Sequence, residues 1–336
     1  MSRILIIGAG ISGLSIASHL LARSAPVAPH NIKLLDKFRT VGGRLSTRTG
    51  RRSILTGNNI NKEKDNEKEE EKVRYDTGHQ YFTVSSPLFR NTVQTWESAH
   101  LVTKFKDGFQ ISSGSAALPA HLASQLTSSG VAIHTSNTVI RVSESVNEWR
   151  VYTEEGFEYS AETLVFSIPA PQTHSIMINS GIDIPALADI KYDPCVSLLL
   201  DYGTNVSLPS PEPTTPEEPI VMYTAQPTPT SLLFHFSPSI SRKLSALPVT
   251  DLMPHATTLL STLPRHHLLP TPLPLHSDVK KWKYAFPQLP RPEAPQVYSR
   301  GPLKRIFFAG DAFVPRLPGP RAFVEAIFIQ AARLNI

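Results

Sequence analysis

Hydrophobic and polar positions divide the start of the chain into a strand, a helix and a second strand. Residues 3–7 form a short apolar run, which predicts a buried strand, and the pattern over residues 13–23 predicts a helix. A second apolar run at residues 32–35 ends at Asp36 and predicts another strand. A strand, a helix and a strand in this order form a β-α-β unit, so we expect the strands to lie parallel.

The same patterns predict elements along the rest of the chain. Helices are expected over residues 116–129 and 321–334. Prolines are frequent after residue 169, so helices within residues 207–229 and 264–302 must be short or interrupted. Short strands are expected at residues 131–133, 139–142, 149–153, 158–159, 163–167, 197–201, 231–236, 280–285 and 305–309.

Nearly every residue between positions 58 and 72 is polar, and the charges are of both signs. Such a stretch cannot bury enough apolar area to offset the entropy lost on ordering it. We therefore predict a mobile charged insertion at residues 58–72, with a partner-docking segment as the alternative.

The composition of the 336-residue chain fits a folded globular protein, with 40% hydrophobic and 18% charged residues. The net charge is +5, but acidic residues are interleaved with the basic ones, so we expect no nucleic-acid partner. Mild basicity suits anionic ligands such as dinucleotides. The single cysteine, Cys195, excludes an intramolecular disulfide, and we interpret it as a small buried apolar residue.

Targeting signals are not evident in the sequence. The apolar start carries the glycines of a nucleotide-binding pattern, which a cleavable leader would not need. No run of about eighteen apolar residues follows, so we expect no membrane span. The single cysteine favours a reducing compartment, and we expect a cytoplasmic protein.

A glycine-rich turn joins the first strand to the first helix and is the first candidate site. Gly8 would allow the tight turn, Gly10 the close approach of a pyrophosphate, and Gly13 the packing of the helix on the strand. The N-terminus of that helix would offer N–H groups to phosphates. Asp36, 23 residues after Gly13, stands where a carboxylate accepts hydrogen bonds from an adenosine ribose. A glycine-rich turn without a ligand is the alternative.

A second glycine element, Val41-Gly42-Gly43-Arg44, follows shortly after Asp36. Its adjacent glycines permit another close backbone approach, and Arg44 can offer its fork of N–H groups to phosphate oxygens. Dinucleotide sites that bind NAD alone do not need this element. Its presence therefore favours FAD over NAD, with a hairpin turn and an exposed arginine as the alternative.

Two strings resemble a known family. Asp36-Lys37 with the following glycine element resembles the FAD-binding amine oxidase superfamily. Residues 76–83 are similar to a segment that follows this element in renalase-like flavoproteins. From the residues alone, this segment also fits a core strand with an aromatic pair. The resemblance implies FAD contacts at Ser12, Lys37, Gly43, Arg44, Gln80 and Tyr81.

Two further positions take their roles from the same resemblance. A strand of the superfamily places a valine against the adenine, and Val139 is the matching residue here. The predicted strand at residues 305–309 runs into Gly310-Asp311, and such a carboxylate binds the ribityl chain in flavoproteins of this type. Asp311 could instead cap the strand end. Residues 324–332 depart from the superfamily, because the usual glycine-rich helix with a Ser-Gly pair is replaced by bulkier residues.

Residues 280–285 are similar to the strand that crosses the far face of the flavin in the superfamily. Trp282 and Lys283 would then line the substrate site, and an ordinary amphipathic strand is the alternative. His79 could carry a proton near the flavin or be a core or surface histidine. No spacing of residues indicates a metal site.

These observations predict an α/β fold: a Rossmann-like FAD-binding domain of parallel sheet and helices, plus a smaller sheet-rich substrate domain. The FAD-binding domain would comprise residues 1–90, 115–175 and 300–336. The substrate domain would comprise residues 91–114 and 176–299.

The resemblance implies an FAD-dependent oxidoreductase. Such an enzyme takes a hydride from a small organic substrate to flavin N5 and is reoxidised by O2, which gives H2O2. Renalase-like enzymes oxidise dihydronicotinamide isomers, which makes these the expected substrates. A flavin amine oxidase or secondary-metabolite oxidase, and a non-catalytic nucleotide-binding protein, are the alternatives. The sequence identifies no catalytic residue, in agreement with a hydride transfer that needs no acid–base group.

Overall fold

A computed structural model describes residues 2–53, 70–78, 81–207, 220–262, 274–288, 297–299 and 305–313 of the chain. The backbone separates into two compact units. Unit 1 contains Met1–Ser46, Tyr81–Lys191 and Pro287–Ile336, and unit 2 contains Thr47–Gln80 and Tyr192–Phe286. The boundaries of these units differ from those of the predicted domains. Residues 91–114, predicted in the substrate domain, belong to unit 1, and residues 47–80, predicted in the FAD-binding domain, belong to unit 2.

The secondary structure alternates between short strands and helices. The strands are β1 (Ser2–Ile7), β2 (Ile32–Leu35), β3 (Thr47–Ser53), β4 (Glu70–Asp76), β5 (Val102–Phe105), β6 (Gly108–Ile111), β7 (Ala132–His134), β8 (Val139–Glu144), β9 (Trp149–Thr153), β10 (Glu158–Phe166), β11 (Tyr192–Asp201), β12 (Val221–Ala225), β13 (Ser231–Phe236), β14 (His276–Pro287), β15 (Val297–Ser299) and β16 (Arg305–Phe308). The helices are α1 (Ile11–Ala22), α2 (Pro87–Ser98), α3 (Ala117–Ser128), α4 (Ala170–Asn179), α5 (Pro185–Ala188), α6 (Pro238–Ser245) and α7 (Val249–Ser261), with a short 3-10 turn at Pro29–Asn31.

The main sheet of unit 1 has a parallel centre. Strands β16, β10, β1, β2 and β7 lie side by side and parallel, with β15 antiparallel at the β16 edge and the β8–β9 hairpin attached to β10. Ile4 and Ile6 of β1 point to the face that packs against α1, α2 and α3. A parallel sheet must be covered on its faces, because its strands are apolar on both sides. The predicted α/β, Rossmann-like fold is confirmed.

Strand β10 corrects the prediction of two separate strands at residues 158–159 and 163–167. Its first half pairs antiparallel with β9, from Glu158 to Ala161, and its second half pairs parallel with β1 up to Phe166. The two halves thus take their hydrogen bonds from different neighbours. The polar residues between them resemble a turn in sequence because no single apolar pattern runs through the whole strand.

Helix α1 begins at Ile11, two residues earlier than predicted. Gly10 is its N-cap and is extended, with φ −73° and ψ 179°, so helical geometry starts directly after the second glycine of the turn. Leu14, Ala17 and Leu20 lie on its buried side, at the spacing of one helix face.

Unit 2 is built on a four-stranded sheet with the order β12-β13-β11-β14. One face carries Val196, Leu198 and Phe234, which form a core with residues of α6 and α7. The opposite face carries Leu199 and Leu233, which pack against Tyr75. Successive side chains along a strand point to opposite faces of the sheet, so the two faces of this sheet carry different residues.

The β3–β4 hairpin belongs to unit 2 and was not predicted. It is paired in register from Thr47 opposite Asp76 to Ser53 opposite Glu70. Residues 70–72 therefore lie in a strand rather than in the predicted mobile insertion, and residues 58–69 lie outside the described part of the chain. The hairpin sequence is polar and shows no apolar alternation, which is why the pattern misses it.

Helix α2 was also missed, although it carries a sequence signal. Ser86 is its N-cap and accepts a hydrogen bond from the Phe89 N–H at 3.1 Å, and Pro87 occupies the first helical position.

Among the described residues, no helix is both long and apolar enough to cross a membrane. The helix predicted at residues 321–334 lies outside the described residues.

Candidate functional site

Two glycines of the first turn are required by the fold itself. Gly8 has φ +109° and donates its N–H to the Leu35 carbonyl at 2.7 Å, which ties the turn to β2. A methyl group at Gly13 would collide with the carbonyl oxygen of Gly8. Gly8 and Gly13 therefore let the strand, the turn and the helix pack together, as the sequence predicts.

Gly10 is different, because nothing within the described structure requires a glycine there. Its φ of −73° suits any L-residue, and an added Cβ would meet no atom closer than the Gly42 oxygen at 3.9 Å. Gly10 has no side chain to cap α1, and the first turn of α1 contains no acidic residue. The first N–H groups of a helix lack intrahelical partners and attract anions. The space beside Gly10 is therefore suited to a group that approaches the backbone closely.

Asp36 is held against the same turn. One carboxylate oxygen accepts the Ala9 N–H at 2.7 Å and the other accepts the Phe38 N–H at 2.8 Å. Burial raises the pKa of the Asp36 carboxyl, while these two N–H donors act in the opposite direction. An ionised carboxylate has about four acceptor positions, so each oxygen keeps capacity for a hydroxyl donor such as that of a ribose.

The second glycine element docks onto the first. The Gly42 N–H donates to the Ala9 carbonyl at 2.9 Å, and Gly10 and Gly42 form a parallel bridge. Gly43 has φ +59°, and an added Cβ would lie 3.5 Å from the Gly10 Cα. The two elements thus bring their backbones together at the N-terminus of α1.

Arg44 connects this element to the end of β16. Its guanidinium lies 2.6 Å from an Asp311 carboxylate oxygen, and the Asp311 side chain is only 11% exposed. Gly310 has φ +120°, and an added Cβ there would lie 3.8 Å from the Ser12 hydroxyl. The segment after β16 therefore meets both the first turn of α1 and the second glycine element, as the predicted roles of these residues require.

Val139 lies on the Asp36 side of the site. The Asp36 N–H donates to the His134 carbonyl at 2.9 Å, and the Asn137 N–H donates to the Asp36 carbonyl at 2.8 Å. The chain that leads into β8 therefore runs beside Asp36. Val139, the first residue of β8, follows Asn137 by two residues and is 8% exposed.

The remaining predicted contacts are less closely tied to this arrangement. Lys37 is exposed, with its ammonium 5.0 Å from the Phe38 ring centroid. Tyr81 is buried in unit 1 and packs edge-to-face on Phe105, with ring centroids 5.3 Å apart. Gln80 and His79 lie outside the described residues, so their roles stay predictions.

Ser167 contributes to the site and was missed. Its hydroxyl lies 2.9 Å from the Gly8 carbonyl and 3.1 Å from the Ile7 carbonyl, and its N–H donates to Ile7 as well. It thereby joins β10 to the glycine turn. The sequence signal was its place at the end of a predicted strand, because parallel strands end at the same edge of a sheet.

Trp282 takes part in a hydrogen bond within unit 2. Its indole N–H donates to the Ser197 hydroxyl at 3.1 Å, and that hydroxyl lies 2.9 Å from His235 Nδ1. Cys195 is buried beside this pair, as predicted, and burial raises the pKa of its thiol to about 12. Lys283 is exposed.

Two protein families match the sequence. Flavin containing amine oxidoreductases match residues 62–319, which is more than half of the chain. NAD(P)-binding Rossmann-like domains match residues 6–96, which include both glycine elements and Asp36.

Solved structures with a similar fold span nearly the whole chain. The CLA-producing fatty acid isomerase from P. acnes has a TM-score of 0.63 at 12% identity, and the match covers 100% of this chain and 99% of that one. A protein assigned as a protoporphyrinogen oxidase from Exiguobacterium sp. 255-15 has a TM-score of 0.60 at 12% identity, covering 99% and 98%. The Diels-Alderase of pyrroindomycin biosynthesis has a TM-score of 0.54 at 15% identity, covering 97% of this chain and 63% of that one. At such identities the likeness shows the fold alone.

Proposed function

This chain belongs to the flavin-containing amine oxidoreductase family, and we propose that it oxidises a dihydronicotinamide isomer through bound FAD. Its family makes it an FAD-dependent oxidoreductase whose Rossmann-like domain binds the cofactor. Membership of an enzyme family does not support the alternative of a non-catalytic nucleotide-binding protein. The proposal adds the substrate and the acceptor, O2, and is supported by the similarity of residues 76–83 to renalase-like flavoproteins.

The residues of the candidate site fit FAD. The observation that carries this fit is Gly10, a glycine that neither its backbone conformation nor its packing explains. A pyrophosphate that approaches the N-terminus of α1 would explain it, because a methyl group would occupy the space that the phosphate needs. Asp36, at the end of β2, is oriented by two N–H donors and keeps acceptor positions for ribose hydroxyls.

The groups of this chain would bind and orient the cofactor rather than transfer protons. The N–H groups of the first turn of α1 and the Arg44 guanidinium would face the pyrophosphate, where positive charge stabilises phosphate oxygens. Asp311 would accept a ribityl hydroxyl while it holds Arg44 in place. The bound cofactor supplies hydride acceptance at flavin N5 and reoxidation by O2 to H2O2.

An amine substrate is the second candidate, and family membership favours it, because the family is one of amine oxidoreductases. Both candidates use the same cofactor and the same class of hydride transfer. They differ in the organic molecule that donates the hydride, which depends on residues outside the FAD-binding turns.

A visible spectrum and an anaerobic titration test the proposal in sequence. We expect two flavin bands in the purified protein that move to the supernatant after acid precipitation, as for non-covalent FAD. A dihydronicotinamide mononucleotide isomer should then bleach the flavin without O2, and readmitted air should give one H2O2 for each substrate oxidised. Bleaching by benzylamine but not by the isomer would replace the proposal with the amine candidate. A protein that takes up no FAD would refute the assigned site.

A further inference from the structure

An exposed aromatic ring lies in unit 1 beside the carboxylate that we place at the adenosine ribose. Phe38 follows Asp36 by two residues and donates its N–H to an Asp36 carboxylate oxygen at 2.8 Å. The Phe38 side chain is 56% exposed. Single exposed apolar residues are ordinary on a protein surface, so exposure alone indicates no ligand. The place of Phe38, next to a residue that fits a ribose, is the reason to consider one.

The loop that carries Phe38 is bonded to the loop that follows β7. The Phe38 carbonyl accepts the Ser136 N–H at 2.9 Å, and the Asp36 carbonyl accepts the Asn137 N–H at 2.8 Å. Ser136 has φ +54°, a conformation that is unfavourable for most residues other than glycine. Val139, which is predicted to contact the adenine, begins β8 three residues after Ser136. The backbone therefore holds Phe38 against the segment that leads to Val139.

The Phe38 ring already has a cation on one side. The Lys37 ammonium lies 5.0 Å from the ring centroid, so a planar ligand would stack on the opposite face. A nucleotide base that covers an exposed phenyl ring removes apolar area of both from water. Such stacking tolerates any base, because each base has a π-face. The ring thus offers a suitable surface for the base that a ribose at Asp36 would carry.

We propose that the Phe38 ring stacks on the adenine of FAD and strengthens binding of the adenosine half of the cofactor. The adenine is bonded directly to the ribose, and the Cα atoms of Asp36 and Phe38 are separated by about 7 Å at most. A ribose held by Asp36 therefore brings the base within reach of the ring. This inference rests on the FAD site of the proposed function and is independent of the proposed substrate.

The competing explanation is that the ring only supports Lys37, whose ammonium lies over it. The hydrogen bonds of Phe38 to Asp36 and Ser136 use backbone atoms, so they are kept when the side chain is replaced. Substitution of Phe38 therefore removes the ring without breaking the link between the two loops. Substitution of Lys37 shows whether the effect of the ring passes through the ammonium.

The first experiment measures the Kd for FAD by fluorescence titration of the full chain freed of cofactor. Phe38→Ala should raise Kd roughly 5- to 100-fold because a stacked base is lost, and Phe38→Tyr should keep most of the affinity. Phe38→Leu, which is apolar but has no ring face, should recover less affinity than Phe38→Tyr. Leu88→Ala is the matched control, since Leu88 is 57% exposed and lies on α2 of the same unit.

Thermal unfolding of the cofactor-free chain accompanies this titration. The unfolding midpoint of Phe38→Ala should match that of the wild type, because an exposed side chain contributes little to stability. An unchanged Kd for FAD in Phe38→Ala, an equal loss in Leu88→Ala, or full recovery by Phe38→Leu would overturn the stack.

The second experiment compares two fragments of FAD by calorimetry, ADP and inorganic pyrophosphate. Phe38→Ala should weaken ADP binding by the same factor as FAD binding and leave pyrophosphate binding unchanged, since only ADP carries the base. Equal losses for both fragments would indicate a disturbed turn and refute the stack. Phe38→Ala should also weaken ADP binding in a Lys37→Gln background, and no further loss there would show that the ring acts only through Lys37.

These measurements separate the inference from the proposed function. A wild-type chain that binds neither FAD nor ADP would refute the cofactor site together with the stack. FAD binding that is unaffected by Phe38→Ala would refute the stack alone. The anaerobic titration with the dihydronicotinamide isomer tests the substrate, and its outcome does not change the affinities for FAD and ADP.

Discussion

Replacing Gly10 with alanine should separate cofactor binding from folding. The added methyl group meets nothing closer than the Gly42 oxygen at 3.9 Å and the Gly43 Cα at 4.0 Å, which are ordinary contacts. Alanine also adopts φ −73° and ψ 179° without strain. The cofactor-free variant should therefore fold as the wild type does, while the methyl group occupies the space where we place the pyrophosphate.

The expected magnitudes differ strongly between the two properties. Replacing a glycine by alanine in an allowed conformation changes the free energy of unfolding by about 1 kcal/mol or less, with a gain expected. Displacing the pyrophosphate from one charge-assisted N–H contact costs about 1.5–3 kcal/mol. Since 1.4 kcal/mol corresponds to a factor of about ten, the Kd for FAD should rise roughly 10- to 100-fold.

Gly13→Ala is the matched comparison, because both substitutions add one methyl group to the same turn. There the methyl group collides with the Gly8 carbonyl, so the backbone must shift, at a cost of about 1–3 kcal/mol in stability. Thermal unfolding of both cofactor-free variants and fluorescence titration with FAD measure the two effects. The reasoning is refuted if Gly10→Ala binds FAD as tightly as the wild type, or if it loses as much stability as Gly13→Ala.

Three further predictions concern other residues of the two units. Arg44→Ala removes the partner 2.6 Å from the little-exposed Asp311 carboxylate, so we expect a loss of about 1–3 kcal/mol in urea unfolding and weaker FAD binding; an unchanged unfolding midpoint would contradict this. The Cys195 thiol should react with a thiol reagent near neutral pH only after unfolding, and stability should fall as pH rises from 9 towards about 12, because the unfolded thiol ionises first; Cys195→Ala should reduce that pH dependence. Ser167→Ala should cost about 1 kcal/mol, since its hydroxyl bonds at the Gly8 turn are lost, and an equally stable variant would exclude that contribution.

The start of the fold could be predicted from sequence because its signals are local. The apolar run of β2 was predicted with its exact bounds, and β1 within one residue, since short buried strands carry their pattern within a few positions. The β3–β4 hairpin was missed for the opposite reason. Its charged sequence has no apolar alternation, and its strands are specified by pairing with each other.

The candidate site shows the same limit. In the sequence, Gly8, Gly10 and Gly13 form one motif. Only the structure shows that packing requires a glycine at positions 8 and 13 but not at position 10. The contact between Arg44 and Asp311 joins residues 267 positions apart, and no local pattern specifies such a pair.

The position of β16 has a consequence for the synthesis of the protein. This strand pairs with the far side of β10, so the sheet is complete only after the ribosome has made residues 305–308. Until then the edge of β10 is exposed to wrong partners, and the Asp311 carboxylate is missing from the turn that it joins. FAD bound at the site that we propose would draw nascent chains towards the native state by mass action. Flavin supply during expression would then govern the yield of folded protein, apart from any effect on turnover.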